Sequence, residues 1–269
     1  MMETLSSGIQ YRHWPVQEAK ACILLIHGLA EHTGRYERLA AYFNARNIAV
    51  VGPDHIGHGA SPGTRAYVAQ FSEYLAPLTD LRDAMTGWYP DTPAFMLGHS
   101  MGGLIAAHLL LQDAQSYRGA MLSAPAFSAD EAVSPVTLWL GRLLRAVMPK
   151  IGMMSLEADQ ISRDPAVVAD YIADPLVYNG KITAALGMEL LSAMDDAIAG
   201  AQQITLPIYI AHGEADVMAM PDGSRAFFQA LASQDKTLDW WPDLYHEIFN
   251  EPESEAVMDR FAGWLEAHL

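Results

Sequence analysis

The chain is poor in cysteine and in positive charge. Cys22 is its only cysteine, so no intramolecular disulfide can form and no zinc-cysteine cluster can be built. It sits inside the apolar run 21–26, where it serves as a small core filler. Lysine and arginine number 16 against 32 acidic residues, a formal net charge of -16 at neutral pH. That balance excludes the basic face that nucleic-acid phosphates demand, and it opposes adsorption to anionic lipid through bulk charge. A neutral substrate suits such a surface. No segment holds the roughly 18 uninterrupted apolar residues of a membrane span, and residues 1–14 lack the basic start and apolar centre of a secretion signal. The expectation is a soluble, cytoplasmic protein. Internal repeats and low-complexity tracts are also missing.

What is present suffices for one large domain. With 269 residues and 51% hydrophobic content, the chain can bury a single α/β core and still carry an insertion. Short apolar runs at 21–26, 48–52, 94–97, 120–123, 208–211 and 237–241 alternate with longer helical patterns at 36–44, 71–89, 103–112, 224–232 and 253–268. Such alternation calls for a mostly parallel sheet with helices on both faces. A hairpin within residues 8–14 is expected to precede it. From residue 126 to about 203 the strand signals stop, and helical patterns are broken by Pro135, Pro149, Pro165 and Pro175. The expected organisation is therefore a core of residues 1–125 and 204–269, with a helical cap, 126–203, inserted between two strands.

Gly98-His99-Ser100-Met101-Gly102 forms a G-x-S-x-G turn between an apolar strand and a run of small helix formers. In that setting it reads as a nucleophile elbow, a strand-to-helix turn so sharp that it strains the serine backbone and lifts the hydroxyl clear of the sheet. A serine hydroxyl is a weak nucleophile at neutral pH. It needs a histidine to take its proton and an acid to orient that histidine, both from later strand ends and in the order serine, acid, histidine. Asp216 follows the run 208–211, and His246 follows the run 237–241. Glu214 is the rival acid, while Asp239 and Asp243 lie too near His246 in sequence to reach it easily. Acyl transfer also needs amide donors for the oxyanion. These are expected from Met101, directly after the serine, and from Leu29, after the bend at His27-Gly28. Asp54-His55-Ile56-Gly57-His58-Gly59 contains closely spaced potential metal ligands, but its glycines favour a tight turn with Asp54 bonded to local backbone. No metal and no cofactor are assigned. His99 is expected to pack against the sheet.

Taken together, His27-Gly28-Leu29-Ala30-Glu31-His32-Thr33-Gly34-Arg35-Tyr36, Asp54-His55-Ile56-Gly57-His58-Gly59, Gly98-His99-Ser100-Met101-Gly102-Gly103 and Tyr245-His246-Glu247-Ile248-Phe249-Asn250-Glu251 resemble the monoacylglycerol lipase and lysophospholipase branch of the α/β-hydrolase superfamily. Asp174-Pro175-Leu176 is similar to a weaker motif of that branch. The resemblance implies an α/β-hydrolase fold with a mostly parallel eight-stranded sheet and an inserted cap, cleaving one acyl ester from a small head group. It carries the triad to Ser100, Asp216 and His246 and the oxyanion amides to Leu29 and Met101. It also implies a cap tyrosine, Tyr171, facing the polar head of the ester. After Asp216 the run Val217-Met218-Ala219-Met220 is wholly apolar, a departure from the branch that bears on head-group or acyl preference.

The expected activity is that of a serine carboxylester hydrolase acting on monoacylglycerols or similar single-chain lipids, with a lysophospholipase as a close alternative. A serine peptidase of aminopeptidase type would use the same triad, with Glu31 or Glu157 supplying an acidic pocket for a free amine. Residues 136–151 combine Leu138, Trp139, Leu140, Leu143, Leu144, Val147 and Met148 with Arg142, Arg145 and Lys150, and contain no acid. This pattern fits either a helix that meets a lipid or micelle surface transiently or one packed on the main domain. Met148, Met153, Met154, Met188, Met194, Met218 and Met220 are expected to line an adaptable acyl tunnel.

Overall fold

Strands rich in Ile, Leu and Val with no polar alternation require cover on both faces, and the computed structural model, which describes residues 2–128 and 135–269, provides it. Eight strands form one sheet in the order β1 (Met2–Thr4), β2 (Gln10–Trp14), β4 (Ile48–Pro53), β3 (Ala21–Ile26), β5 (Ala94–His99), β6 (Gly119–Ser123), β9 (Ile208–Gly213) and β10 (Lys236–Trp241). The pairs β1/β2 and β2/β4 are antiparallel, and the remaining pairs are parallel. Every residue of β3, β4, β6 and β9 is buried. Side chains alternate between two cores. Cys22, Leu24 and Ile26 face α2 (Leu75–Trp88) and α3 (Met101–Asp113), whereas Ala21, Ile23 and Leu25 face α1 (Glu37–Asn44) and α8 (Ser254–Ala267). α7 (Pro221–Ala230) completes the first layer through Phe227, which stacks on Phe127 at 3.9 Å.

The strand order reverses at β3, with β4 on one side and β5 on the other. A crevice opens at such a reversal, outside the carboxyl ends of the strands. The loops after β3, β5, β9 and β10 all end on this side, and they carry the residues singled out above.

Two expectations need correction. The N-terminal hairpin begins earlier than residue 8: its first strand is Met2–Thr4, and Leu5 and Gly8 form the turn. All three strand residues are polar or exposed at the sheet edge, so they carry no apolar alternation to read. The segment between β6 and β9 is also not wholly helical. It contains α4 (Pro135–Val147), α5 (Pro165–Ala173) and α6 (Ala184–Gly200), but β7 (Gly152–Ser155) and β8 (Lys181–Thr183) pair as a two-stranded antiparallel sheet. α6 is continuous with the main core. Leu186, Leu190, Ala193 and Ala197 share the cluster of Leu104 and Leu109, and His108 Nε2 bonds the Ala193 carbonyl at 2.9 Å.

Candidate active site

Ser100 stands between β5 and α3 with φ 53° and ψ -121°, a conformation strained for any residue with a Cβ. Its surroundings enforce that geometry. The Ser100 N–H bonds Ser123 O at 3.0 Å, and its carbonyl accepts from Gly103 N at 2.9 Å and Ala126 N at 3.0 Å. A Cβ at Gly102 would fall 1.9 Å from Ile26 O, so only glycine lets the first turn of α3 lie against the end of β3.

The loop after β9 brings Asp216 beneath the loop after β10. His246 Nδ1 donates to Asp216 Oδ2 at 2.7 Å, which leaves Nε2 as the atom that can take a proton. The His246 ring centroid lies 4.9 Å from that of His99, the residue immediately before the serine. Neither the Ser100 hydroxyl nor His246 Nε2 has a hydrogen-bond partner among the described residues. Asp216 Oδ1 accepts from the amides of Met218 at 2.8 Å and Ala219 at 3.1 Å, and Oδ2 accepts also from His212 Nε2 at 3.0 Å. Burial works against its charge, but His246 and these donors outweigh it and hold the carboxyl well below the ordinary Asp range. Burial likewise works against a charged His246, yet Asp216, with Glu247 and Glu31, raises its pKa above the ordinary histidine value.

The loop after β3 closes on the elbow. A Cβ at Gly28 would come within 3.3 Å of Ser100 Cβ, so the backbone at Gly28 passes close to the serine. Among the described residues the N–H groups of Leu29 and Met101 have no acceptor, and both belong to segments that flank Ser100.

Glu31 is a correction. Oε1 accepts from Gly28 N at 2.6 Å and from the Tyr36 hydroxyl at 2.7 Å, and Oε2 accepts from Arg35 at 2.9 Å. Its carboxylate is buried and already bonded to Gly28, Tyr36 and Arg35. Arg35 goes on to bind Glu247, next to His246, through two bonds of 2.5 and 2.7 Å. Tyr171 is buried, its ring 4.6 Å from the Arg35 guanidinium, within a cluster of Ile161, Val177 and Met218. Met218 flanks the acid through its amide and packs on that cluster. Glu214 is exposed and takes no part in the His246 contact. Of the tunnel methionines, Met148, Met153 and Met154 are exposed and line no interior. Asp54 receives Thr33 N and Thr33 Oγ1 on Oδ1 and Ala60 N on Oδ2, so its oxygens bind the protein itself. His99 bonds Ser123 through Nδ1.

Residues 161–178 tie the loops after β3 and β10 together. Asp174 bonds His32 at 2.8 Å, Tyr178 N bonds Ala30 O at 2.8 Å, and Glu247 N bonds Ile161 O at 2.8 Å. Sequence reasoning gave no role to Arg35, Glu247 or His212. Arg35 and Glu247 do lie inside the motif stretches quoted above, and His212 is four residues ahead of the acid, which was the available signal.

The fold and the loops at its carboxyl edge define an α/β-hydrolase. A family model described as "Serine aminopeptidase, S33" matches residues 17–253, and the chain belongs to that family. It is 37% identical to the monoacylglycerol lipase of Mycolicibacterium smegmatis, over 97% of this chain and 94% of that one. It is 32% identical to the monoglyceride lipase of Mus musculus, over 94% of this chain and 85% of that one. The crystal structure of Paleococcus ferrophilus monoacylglycerol lipase superposes with a TM-score of 0.89 at 30% identity, covering 97% and 99% of the two chains. The resemblance to the monoacylglycerol lipase branch thus extends over nearly the whole chain.

Proposed function

We propose that the protein is a serine carboxylester hydrolase that removes the acyl chain from monoacylglycerols or similar single-chain lipids. The observation that carries this reading is the 2.7 Å Asp216–His246 bond, with the His246 ring 4.9 Å from that of His99, the residue that precedes the strained Ser100. Ser100 attacks the ester carbonyl as His246 Nε2 takes its proton, and the Leu29 and Met101 amides receive the charge on the carbonyl oxygen. His246 then gives the proton to the departing glycerol oxygen. Water, deprotonated by the same histidine, releases the fatty acid from Ser100. Each step uses groups present in the chain, and no cofactor enters.

An aminopeptidase would need a carboxylate open to a substrate ammonium. Glu31 is neutralised by Arg35 and buried, and Glu157 is exposed at the surface. Neither makes such a pocket, and this favours the ester. Residues 126–203 act in this reading as a cap over the crevice. Leu140, Leu143 and Val147, at helical spacing on α4, are exposed at 42%, 46% and 71%, and Met148 and Met154 extend the patch. An apolar stripe left in water at the cap surface suits transient docking on a lipid aggregate. Among the described residues no helix is long and apolar enough to cross a membrane. A cytoplasmic location belongs to the same proposal.

The test is a parallel assay of a monoacylglycerol, a lysophospholipid, a triacylglycerol and an aminoacyl arylamide. Turnover fastest on the monoacylglycerol supports the reading. Preference for the lysophospholipid would change the head group, and preference for the arylamide would overturn the ester assignment.

A further inference from the structure

The acid of the site is held by two histidines, and only one of them faces the serine. His212, next to last in strand β9, is buried with no solvent exposure, and both of its ring nitrogens are engaged. Nε2 lies 3.0 Å from Asp216 Oδ2 and 2.9 Å from Ala219 O. Both neighbours are acceptors, so Nε2 carries the proton. Nδ1 lies 2.7 Å from Ser224 Oγ, in the first turn of α7. The Ser224 hydroxyl is fully buried and has no other partner among the described residues, so its proton points into the Nδ1 lone pair. Ser224 thereby selects the His212 tautomer whose N–H faces the acid.

We infer that His212, locked by Ser224, is a positioning residue of the hydrolytic relay: it fixes the Asp216 carboxylate and shares its charge, and so sets the strength of the bond that Asp216 makes to His246. The inference rests on the reading of Ser100, Asp216 and His246 as the triad. Its physical basis is competition at one oxygen. Oδ2 serves two N–H donors, and each weakens the negative potential felt by the other. Without His212 the full potential of Oδ2 falls on His246, which then holds its proton to higher pH. The carboxylate also loses one of its four restraints. The other charged and titratable groups near His246 are Glu247, Glu31, Arg35 and His99, and none of them contacts His212. The aromatic neighbour of His212 is Trp240, at 6.2 Å.

Three variants test this with a short soluble ester, by kcat and KM across pH and by thermal melting. His212→Phe keeps a flat ring and removes all three polar contacts, to Asp216, Ala219 and Ser224. It is expected to lower kcat by about 10-fold to 100-fold, as loss of an orienting partner does elsewhere, with KM little changed. The acid limb of its pH profile should move alkaline by about half a unit or more. His212→Gln returns an N–H donor and should restore kcat to within about threefold, with the limb near its original place. Ser224→Ala leaves Asp216 untouched but frees the tautomer, and should shift the limb in the same direction by a smaller amount. Ser100→Ala runs beside them. If it is inactive while His212→Phe and Ser224→Ala, both folded, show the parent kcat and limb, the role of His212 is overturned and the triad stands. Equal losses in His212→Phe and His212→Gln also overturn it. Should His212→Phe fail to fold, Ser224→Ala against the parent decides. Full activity in Ser100→Ala would overturn the triad reading, and this inference with it.

Discussion

At residue scale the account rests on three side chains contributed by loops far apart in sequence. Ser100→Ala removes one oxygen from a turn whose backbone bonds remain, so ester turnover should fall by several orders of magnitude while the melting temperature holds. Asp216→Asn should be nearly as damaging, because an amide in the place of Oδ2 faces the His246 Nδ1–H with the wrong group. Glu214→Gln, on an exposed side chain, should change little; the reverse ranking in measured kcat would name a different acid. His246 must be neutral to accept the serine proton, and its pKa is raised above the ordinary value. Activity should therefore rise through neutral pH to a mildly alkaline plateau, and a profile already flat at pH 5 would contradict that environment. Motif and chain order are what point to Ser100, Asp216 and His246 as the proposed triad, and the 2.7 Å Asp216–His246 bond is consistent with that order. Glu31 was misread because its partner chain, through Arg35 to Glu247, spans 212 residues and leaves no local pattern.

At element scale, the strands of the sheet centre and their helices were readable from apolar runs, since burial on both faces leaves a strong signal. β1 and β7 were not, because every residue in them is exposed. The cap patch was readable in composition, but its partition was not. Arg145 pairs with Glu189 of α6, while Leu140, Leu143 and Val147 turn to water. Charge reversal at Arg145 would thus disturb packing as well as docking. Leu143→Glu with Val147→Glu is the cleaner test. The pair should weaken binding to monoacylglycerol-containing vesicles about 10-fold or more, since two apolar contacts of about 1.5 kcal/mol or more each are exchanged for charges. Hydrolysis of a short soluble ester should be unchanged. Equal loss on both substrates would assign α4 to the fold or the acyl path instead. Gly102→Ala belongs to this scale too: its Cβ would meet the Ile26 carbonyl, and a clear drop in melting temperature is expected.

At the scale of the whole molecule, four buried histidines set an acid limit. Burial lowers the pKa of His27 and His55 far below the ordinary value, that of His58 to about 4 and that of His99 to about 3. His27 Nε2 accepts the His55 backbone N–H at 3.0 Å, and His58 Nε2 is buried without a partner among the described residues, so neither accommodates a proton. The unfolded chain takes up these protons near pH 6.5, before the folded one can. Their contribution is fully present above that pH and is lost as pH falls, by about 1.4 kcal/mol per unit for each group. His246 has the opposite sign: its contribution is complete below its unfolded pKa and is lost only as pH rises through its raised folded value. Melting temperature at constant ionic strength should therefore drop steeply between pH 6.5 and 5. A flat profile to pH 4 would contradict it.

The central claim, that Ser100 forms an acyl-enzyme in turning over a single-chain lipid ester, is tested most directly by one labelling measurement. The protein is incubated with an alkyl fluorophosphonate, with and without excess monoacylglycerol, and the adduct is mapped by mass spectrometry of its peptides. The account predicts one phosphonate per chain, on Ser100, slowed by monoacylglycerol and accompanied by full loss of its hydrolysis. An adduct on another residue, or an enzyme that stays active with Ser100 fully labelled, would contradict it.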